Sequence, residues 1–424
     1  MKKKYNLVEL FSGIGSQAKA LKNLGMNIGD SYICEWDLHA FTAYDAIHSA
    51  TTIPVDVLEM DRKELLQKLE NFTLSNSGKA PMQYKTLCSY SVDALRRIYT
   101  AIMRNNNFID VSSLTGDKIP DNIDILTYSF PCQDLSNVGA FHGYNKGIDK
   151  DSGSRSSLLW QVGRILQEMK DDNKKLPRYL LLENVPSLLA PRHFNNFETW
   201  ISDLKKLGYF SKYYQLNASA FGLPQNRPRL LMISVYVGDD TEKAKKVESF
   251  FADKTSADIV KEYQKSKHYK KINIEDLLRI DYSNEKLFAE AVECTPNDTV
   301  SRRAIWEENP QIVLPDGTLN PKFDVIRTIT TKQDRNPNSG NLYFDCGIEG
   351  RGKFRYLTPR ECFLFMGFTD EDFDNVIKEN PEIHRNTKML PRDKLIRMAG
   401  NSIPVKLLEG VFFQIKKLDQ LLEK

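Results

Sequence analysis

The sequence predicts an α/β fold in which a mostly parallel sheet is covered by helices on both faces, with a second, smaller domain. Short apolar runs alternate with segments of helical periodicity over residues 1–238, as is typical of parallel sheets. A glycine turn joins the first strand to the first helix. Near residue 239 the pattern gives way to lysine-rich and then loop-rich sequence, and 424 residues are enough for two hydrophobic cores.

The first part of the chain can be divided into elements. Residues 5–11 form an apolar strand, and Ala18, Leu21 and Leu24 then recur at helical spacing until Gly25 ends the helix. Further strands are predicted at 31–34, 123–128, 179–182 and 230–235, and helices at 158–169 and 197–207.

The predicted domains follow from where these patterns stop. Residues 1–238 form the main domain, which carries an insertion at about 60–121 because that stretch is longer than an ordinary connection. Residues 239–354 form the smaller domain. Residues 355–424 are helical again and are expected to complete the main domain.

Composition narrows the class of protein. A net charge of +3 and a pI near 8.3 neither demand nor exclude a nucleic-acid partner. The six cysteines include no C-x-x-C pair, so a zinc site is disfavoured and a reducing compartment is favoured. Glu9 interrupts the apolar run after the basic N-terminus, and no apolar run approaches the ~20 residues of a membrane span. A cytoplasmic protein without membrane segments is therefore expected.

A nucleotide-binding unit is predicted at the N-terminus. Gly13-x-Gly15-x-x-Ala18 opens the first helix, and Glu35 ends the following strand, where its carboxylate can accept hydrogen bonds from ribose hydroxyls. NAD and S-adenosylmethionine sites share this outline, and a glycine turn in a plain α/β fold would also produce it.

Three further groups follow or precede predicted strands. Cys132 follows Pro131 at the end of the strand 123–128, which suits an exposed nucleophile, although an isolated cysteine is more often a small buried hydrophobe. Glu183 follows four apolar strand residues, which suits a general acid of raised pKa or simply a strand-end residue that bonds a loop. Arg227 and Arg229 can face a carbonyl oxygen or phosphates, or form ordinary ion pairs.

Residues 355–424 are called the return segment below, and the motif at its start is interpreted as structural. Thr358, Pro359 and Glu361 occupy the N-cap, first and third positions of a helix, which predicts a capping box. No catalytic part is assigned to Glu361.

Taken in order, these segments resemble the DNA cytosine-C5 methyltransferases, in particular the bacterial and phage enzymes of restriction-modification type. The amino-acid sequence around Cys132 also resembles that of mollicute CpG methyltransferases. The matching segments span nearly the whole chain and are 9–15, 129–133, 183–185, 225–229, 357–362 and 400–404. Ser129 departs from the glycine or other small residue that is common before Phe-Pro-Cys.

The resemblance implies a Rossmann-like S-adenosylmethionine-dependent methyltransferase sheet, with 239–354 as target-recognition domain. Cys132 would add to C6 of the target cytosine, and Glu183 would hold N3 and the exocyclic amine. Arg229 would bond the base O2, with Arg227 nearby. The base would have to leave the duplex.

The resemblance also implies the cofactor contacts. The aromatic ring of Phe11 would stack on adenine, Glu35 would hold the ribose, and Asp56 with Val57 would meet the adenine edge. The full set is Phe11, Gly13, Ile14, Gly15, Glu35, Trp36, Asp56, Val57, Pro131, Leu158, Asn401 and Ser402.

The implied partner is double-stranded DNA, bound by a monomer in the cytoplasm of a bacterial cell or a phage-infected host. Whether a cognate restriction endonuclease acts separately stays open. Lysines of 239–285 would contact phosphates or form a solvated helix face. Three other functional classes remain: a NAD-dependent oxidoreductase, a tRNA methyltransferase on the same fold, and a non-catalytic DNA-binding module.

Overall fold

The computed structural model describes residues 3–49, 52–131 and 158–423. The strands up to residue 236 are β1 Lys4–Leu10, β2 Asn27–Cys34, β3 Ile125–Tyr128, β4 Tyr179–Asn184, β5 Tyr209–Asn217, β6 Gln225–Asn226 and β7 Pro228–Tyr236. All of these except β6 form one sheet, in the order β2-β1-β3-β4-β7-β5. The predicted strands are all present, whereas β5 was not predicted from the sequence.

Strand direction places the ends of the strands. The pairs β2/β1, β1/β3 and β3/β4 are parallel, and β7 runs antiparallel between β4 and β5. The order of the chain reverses between β1 and β3, which is the position where open α/β sheets bind ligands. Because β7 is antiparallel, its first residues lie at the same sheet edge as the last residues of β4.

Helices cover both faces of this sheet. Alternate side chains of β1 enter different cores: Leu7 packs with α1 and α2, and Val8 packs with the helices that follow β3 and β4. The helices up to residue 264 are α1 Ser16–Asn23, α2 Leu38–His48, α3 Val55–Glu59, α4 Arg62–Leu69, α5 Tyr84–Leu87, α6 Val92–Arg104, α7 Leu159–Asp171, α8 Pro191–Lys206, α9 Thr241–Phe251 and α10 Ser256–Gln264.

The remaining elements form the smaller unit and the return segment. The later helices are α11 Ile274–Leu277, α12 Glu285–Glu293, α13 Val300–Glu308, α14 Pro359–Phe365, α15 Asp370–Lys378, α16 Arg392–Asn401 and α17 Val405–Leu422. The later strands are β8 Gln311–Val313, β9 Ile326–Arg327, β10 Asn341–Tyr343, β11 Phe354–Tyr356, β12 Glu382–His384 and β13 Thr387–Lys388. Strands β8, β10 and β11 form a small sheet, and β9 pairs with β6.

The lysine-rich helices α9 and α10 belong to the layer that covers the central sheet. Lys254 donates to Gln414 of α17 at 3.0 Å, and Lys417 of α17 pairs with Glu262 of α10 at 2.7 Å. Lys243 lies over the ring of Tyr236, at the sheet edge opposite to the last residues of β4. These contacts with α17 favour placing the lysine-rich segment with the main domain, and the boundary at residue 239 stays a prediction.

The return segment completes the main domain. The carboxylate of Asp419 on α17 accepts hydrogen bonds from Tyr5 of β1 at 2.8 Å and from Tyr179 of β4 at 2.9 Å. The predicted capping box is present, since Thr358 accepts from the Glu361 amide and the Glu361 carboxylate accepts from the Thr358 amide. Among the described residues, no helix is long and apolar enough to cross a membrane.

A buried ion cluster attaches the inserted segment to α2. Asp45 of α2 is fully buried and pairs with Arg97 of α6, which is itself buried. Arg104 and Asn105 also donate to this carboxylate, at 3.1 and 2.8 Å. A carboxylate that satisfies several buried donors is costly to remove, because the donors keep their desolvation cost.

Replacing Asp45 by alanine is expected to lower the free energy of unfolding by about 3–5 kcal/mol, because Arg97 stays buried without its carboxylate partner. Urea denaturation followed by circular dichroism measures the change. Asp93→Ala, which removes an exposed carboxylate 3.6 Å from Arg96, is the control and should leave the midpoint unchanged. Equal midpoints for the two variants would contradict the structural importance of the cluster.

Candidate active site

Polar and glycine residues gather at one edge of the central sheet. The edge is formed by the ends of β1, β2, β3 and β4 and by the start of β7. They surround a cavity of about 440 Å³, a volume that suits a small-molecule ligand. The wall includes Trp36, Pro131 and Leu158 together with Asn401 and Ser402 of the return segment.

The turn after β1 has an unusual backbone. Phe11, Gly13 and Gly15 all adopt positive φ angles, of 59°, 55° and 80°. A bulky residue such as Phe11 rarely adopts this conformation, and such strain is common where a loop binds a ligand. The amide of Gly13 donates to the Glu35 carboxylate at 3.1 Å, so the turn is joined to the end of β2.

Glu35 is a half-buried residue with its carboxyl group at the cavity wall. It also accepts from the Asp37 amide at 2.9 Å. Burial, together with the nearby charge of Asp37, raises the pKa of Glu35 to about 7. Each carboxylate oxygen can accept a second hydrogen bond, so the group can still bind a ligand with paired hydroxyls.

Glu183 and Arg229 form a buried ion pair in the same cavity. The Nε of Arg229 lies 2.9 Å from a Glu183 carboxylate oxygen, and both side chains are nearly buried. Burial raises the pKa of Glu183, while Arg229, Arg227 and the hydroxyl of Ser129 act in the opposite direction. The net rise leaves a carboxyl group that can hold a proton for a ring nitrogen.

Arg227 joins three parts of the chain. Its guanidinium donates to the carbonyl oxygens of Ile329 at 2.7 Å, Gly400 at 2.7 Å and Ser402 at 2.8 Å. A side chain at Gly400 would approach the backbone of Thr330 to 2.5 Å, which explains the glycine there. Arg227 lines the cavity, but these bonds orient it toward backbone carbonyls, so it positions the wall.

The structure brings most of the residues of the sequence hypothesis to this cavity. Those that line it are Phe11, Gly13, Ile14, Glu35, Trp36, Pro131, Leu158, Glu183, Arg227, Arg229, Asn401 and Ser402. Cys132 lies outside the described residues, and Pro131, which precedes it in the sequence, is at the wall.

Gly15, Asp56 and Val57 are placed elsewhere. Asp56 is exposed on α3 and Val57 is buried in the core below it, so neither meets the cavity. A side chain at Gly15 would approach the His48 ring to 2.3 Å, so that glycine permits helix packing. None of these three residues lines the described cavity, and their cofactor contacts stay a prediction.

Several wall residues were missed from the sequence, and two of them lie next to each other in the inserted segment. Asp110 and Val111 line the cavity beside Glu35, and Ile109 before them has a φ of 67°. Treating 60–121 as a single insertion concealed them. The signal was present, because Asp110 stands in an apolar run ahead of β3 much as Glu35 ends β2.

Residues 84–417, well over half of the chain, match the family described as C-5 cytosine-specific DNA methylase. The protein is a member of the C-5 cytosine-specific DNA methylase family. It is 30% identical over 430 aligned residues to the orphan methyltransferase M.SssI of Spiroplasma monobiae, with 97% of each chain covered. It is also 30% identical to the type II methyltransferase M2.ScrFI of Lactococcus lactis subsp. cremoris, with 96% of this chain and 98% of that one covered.

Solved structures agree on the fold. Dnmt2 methyltransferase of S. pombe superposes with a TM-score of 0.58 and 16% identity, over 98% of this chain and all of the other. Spodoptera frugiperda DNMT2 gives 0.55 over 97% of this chain. The predicted methyltransferase fold and family resemblance are confirmed, and the protein is a DNA cytosine-5 methyltransferase. Family membership decides against the oxidoreductase alternative.

Arg227→Lys is expected to loosen the wall, because one ammonium group cannot reach three separate carbonyl oxygens in the geometry of a guanidinium. We expect a loss of about 2–3 kcal/mol in unfolding free energy and faster amide hydrogen exchange around Ile329 and Gly400. Arg303→Lys, in an exposed pair with Asp298, is the matched control. Unchanged amide hydrogen exchange around Ile329 and Gly400 in Arg227→Lys would rule out a role of Arg227 in positioning the cavity wall.

Proposed function

We propose that this enzyme transfers the methyl group of S-adenosylmethionine to C5 of a cytosine in duplex DNA, with Cys132 as nucleophile. One observation carries the proposal: one cavity contains both the Glu35 carboxylate, which can accept hydrogen bonds from ribose hydroxyls, and the buried Glu183–Arg229 pair. A nucleoside cofactor and a flipped base would therefore meet there. Pro131 at the wall brings the chain to this cavity immediately before Cys132.

The residues fit S-adenosylmethionine. Glu35 has acceptor capacity left for ribose hydroxyls, and Phe11 and Trp36 offer aromatic surfaces to an adenine. We assign to Asp110 the contact with the adenine amine that the sequence hypothesis gave to Asp56, because Asp110 lines the cavity. When bound, this cofactor supplies an electrophilic methyl group. Asn401 and Ser402 close the wall from the return segment.

The protein groups then act on the cytosine. C5 of cytosine is a poor nucleophile until C6 carries a substituent, so the sulfur of Cys132 adds to C6. Glu183 holds a proton at N3 as negative charge builds on the ring, which its raised pKa permits. Arg229 donates toward O2 and keeps Glu183 in place. Loss of the C5 proton and breaking of the sulfur–carbon bond complete the turnover.

The depth of the cavity requires the base to leave the duplex. Glu183 is only 8% exposed and Arg227 only 2%, so a stacked base cannot reach either group. Flipping the base costs a few kcal/mol, which contacts inside the pocket offset. We propose that the unit from α12 to β11 reads the DNA sequence, because it adjoins the wall through Ile329.

Cys132→Ala is expected to abolish methyl transfer to duplex DNA, since no sulfur remains to add to C6. It should also abolish the covalent adduct with duplex DNA that contains 5-fluorocytosine. Tritium incorporation from labelled cofactor and denaturing gels measure the two effects. The control Cys88→Ala changes a partly exposed cysteine of the inserted segment and should retain both activities. Near-normal methylation by Cys132→Ala would refute the mechanism.

Cofactor affinity is expected to fall as the pH decreases through about 7, the pKa of Glu35, because the carboxylate form accepts the ribose hydroxyl bonds. Well below that pH, the dissociation constant should rise about tenfold per unit. Calorimetric titration with S-adenosylhomocysteine between pH 5.5 and 8.5 measures it. Glu35→Gln should bind weakly at every pH and flatten the profile. A dissociation constant of the unmodified enzyme that does not change with pH would contradict the assignment of Glu35 as the acceptor for the ribose hydroxyls.

A further inference from the structure

A loop of the inserted segment reaches the cofactor cavity. The loop Ser75–Lys79, which we name the insertion loop, contributes Gly78 and Lys79 to the same wall as Glu35 and Trp36. The buried hydroxyl of Ser75 closes the loop, because it donates to the Ala80 carbonyl at 2.6 Å and accepts from the Gly78 amide at 2.9 Å. The loop is therefore a compact wall element.

The insertion loop is attached to the end of β2. The Ser75 amide donates to the Trp36 carbonyl at 2.8 Å, and the Leu38 amide donates to the Ser75 carbonyl at 2.9 Å. Ser75 thus pairs with Asp37 as a short parallel bridge. A side chain at Gly78, which has a φ of 65°, would approach the Asp37 carboxylate to 3.0 Å. Only a glycine fits this approach without strain.

The other side of the insertion loop is attached to α16. Arg397 donates to the Ser77 carbonyl at 2.5 Å and forms an ion pair with Asp37. Lys394 donates to the Asn76 carbonyl at 3.0 Å. Helix α16 ends in Asn401, which borders the cavity, so the loop lies between two cofactor-binding parts of the wall.

We infer that the Asp37–Arg397 ion pair and the insertion loop form a clamp that holds Glu35–Trp36 and Asn401 at the spacing required by an adenosine-containing cofactor. This inference rests on the proposed function, because it concerns affinity for that cofactor. Arg397 is a positioning residue: it acts through Asp37 and Ser77. The inserted segment thereby acquires a function in binding as well as in stability.

Charge gives the clamp a second effect. The charged residues that line the cavity with Glu35 come from several elements. They include Asp37 after β2, Lys79 of the insertion loop, Asp110 of the loop after α6, and Arg397 of α16. His39 pairs with the other oxygen of Asp37 at 2.8 Å. The charge of Asp37 disfavours the ionised form of Glu35, and the cation of Arg397 offsets part of this charge.

The test compares Arg397→Ala with the unmodified enzyme. KM for S-adenosylmethionine should rise at least tenfold, and this rise should exceed the change in kcat at least fivefold. The midpoint of the pH profile for S-adenosylhomocysteine binding should move upward, since Asp37 loses its cation. Arg397→Lys should recover part of the affinity, because it restores the ion pair but not the second bond.

A second variant tests the insertion loop without altering Arg397. Gly78→Val places a branched side chain at a positive φ against Asp37, and should also weaken cofactor binding at least tenfold. Lys245→Ala, in an exposed pair with Glu242, is the control. Thermal unfolding of each variant tests whether it is folded.

The outcomes separate the two proposals. If the unmodified enzyme neither binds S-adenosylmethionine nor methylates duplex DNA, the proposed function fails. If it does both, while folded Arg397→Ala and Gly78→Val keep the affinity and pH midpoint of the unmodified enzyme, the clamp is overturned. A loss in Arg397→Ala with no recovery in Arg397→Lys and no shift of the midpoint would also overturn it.

Discussion

The burial of one carboxyl group, Glu183, constrains the arrangement of the whole site. A charged group at the end of an apolar strand is costly unless a cation lies beside it. The antiparallel β7 solves this problem, because it starts where β4 ends and so delivers Arg229 to within 2.9 Å. If β7 ran parallel to β4, the end of β7, and not its start with Arg229, would lie beside Glu183. The direction of one strand therefore decides whether the site can exist.

Arg227 and Arg229 are separated by one proline and bind different kinds of groups. Arg229 reaches a side chain that is proposed to act on the base, whereas Arg227 reaches three backbone carbonyls from two distant segments. The second arginine thus assembles the wall in which the first one acts. The motif 225–229 placed both arginines at the site, and only the contacts show that Arg227 binds backbone carbonyls.

Local patterns were sufficient to predict much of this molecule. Apolar runs gave the positions of β1, β2, β4 and β7. Glu35 after β2 and Glu183 near the end of β4 lie at the same sheet edge because parallel strands end together. The capping box at Thr358 needs only four residues and was predictable for that reason. The direction of β7 and the existence of β5 depend on pairing between distant strands, which composition does not encode.

Longer-range packing explains where the structure departs from the local sequence patterns. Lysine content suggested that residues after 239 leave the main domain, yet Val247 and Phe251 are fully buried and hold α9 in the layer with α17. The sequence hypothesis gave the adenine edge to Asp56, whereas the described cavity wall includes Asp110, beyond the inserted helices, and not Asp56. In both cases, a long-range contact outweighed a local resemblance.

Helix α17 has a consequence for biosynthesis. Asp419 reaches back to Lys3, 416 positions away, and joins the first strand to the last helix. Translation at 5–20 residues per second needs on the order of tens of seconds to cover a chain of this length. Until residues 405–422 have left the ribosome tunnel, the sheet lacks one of the helices that cover it. A nascent chain that stops short of α17 therefore leaves part of this hydrophobic core exposed to water.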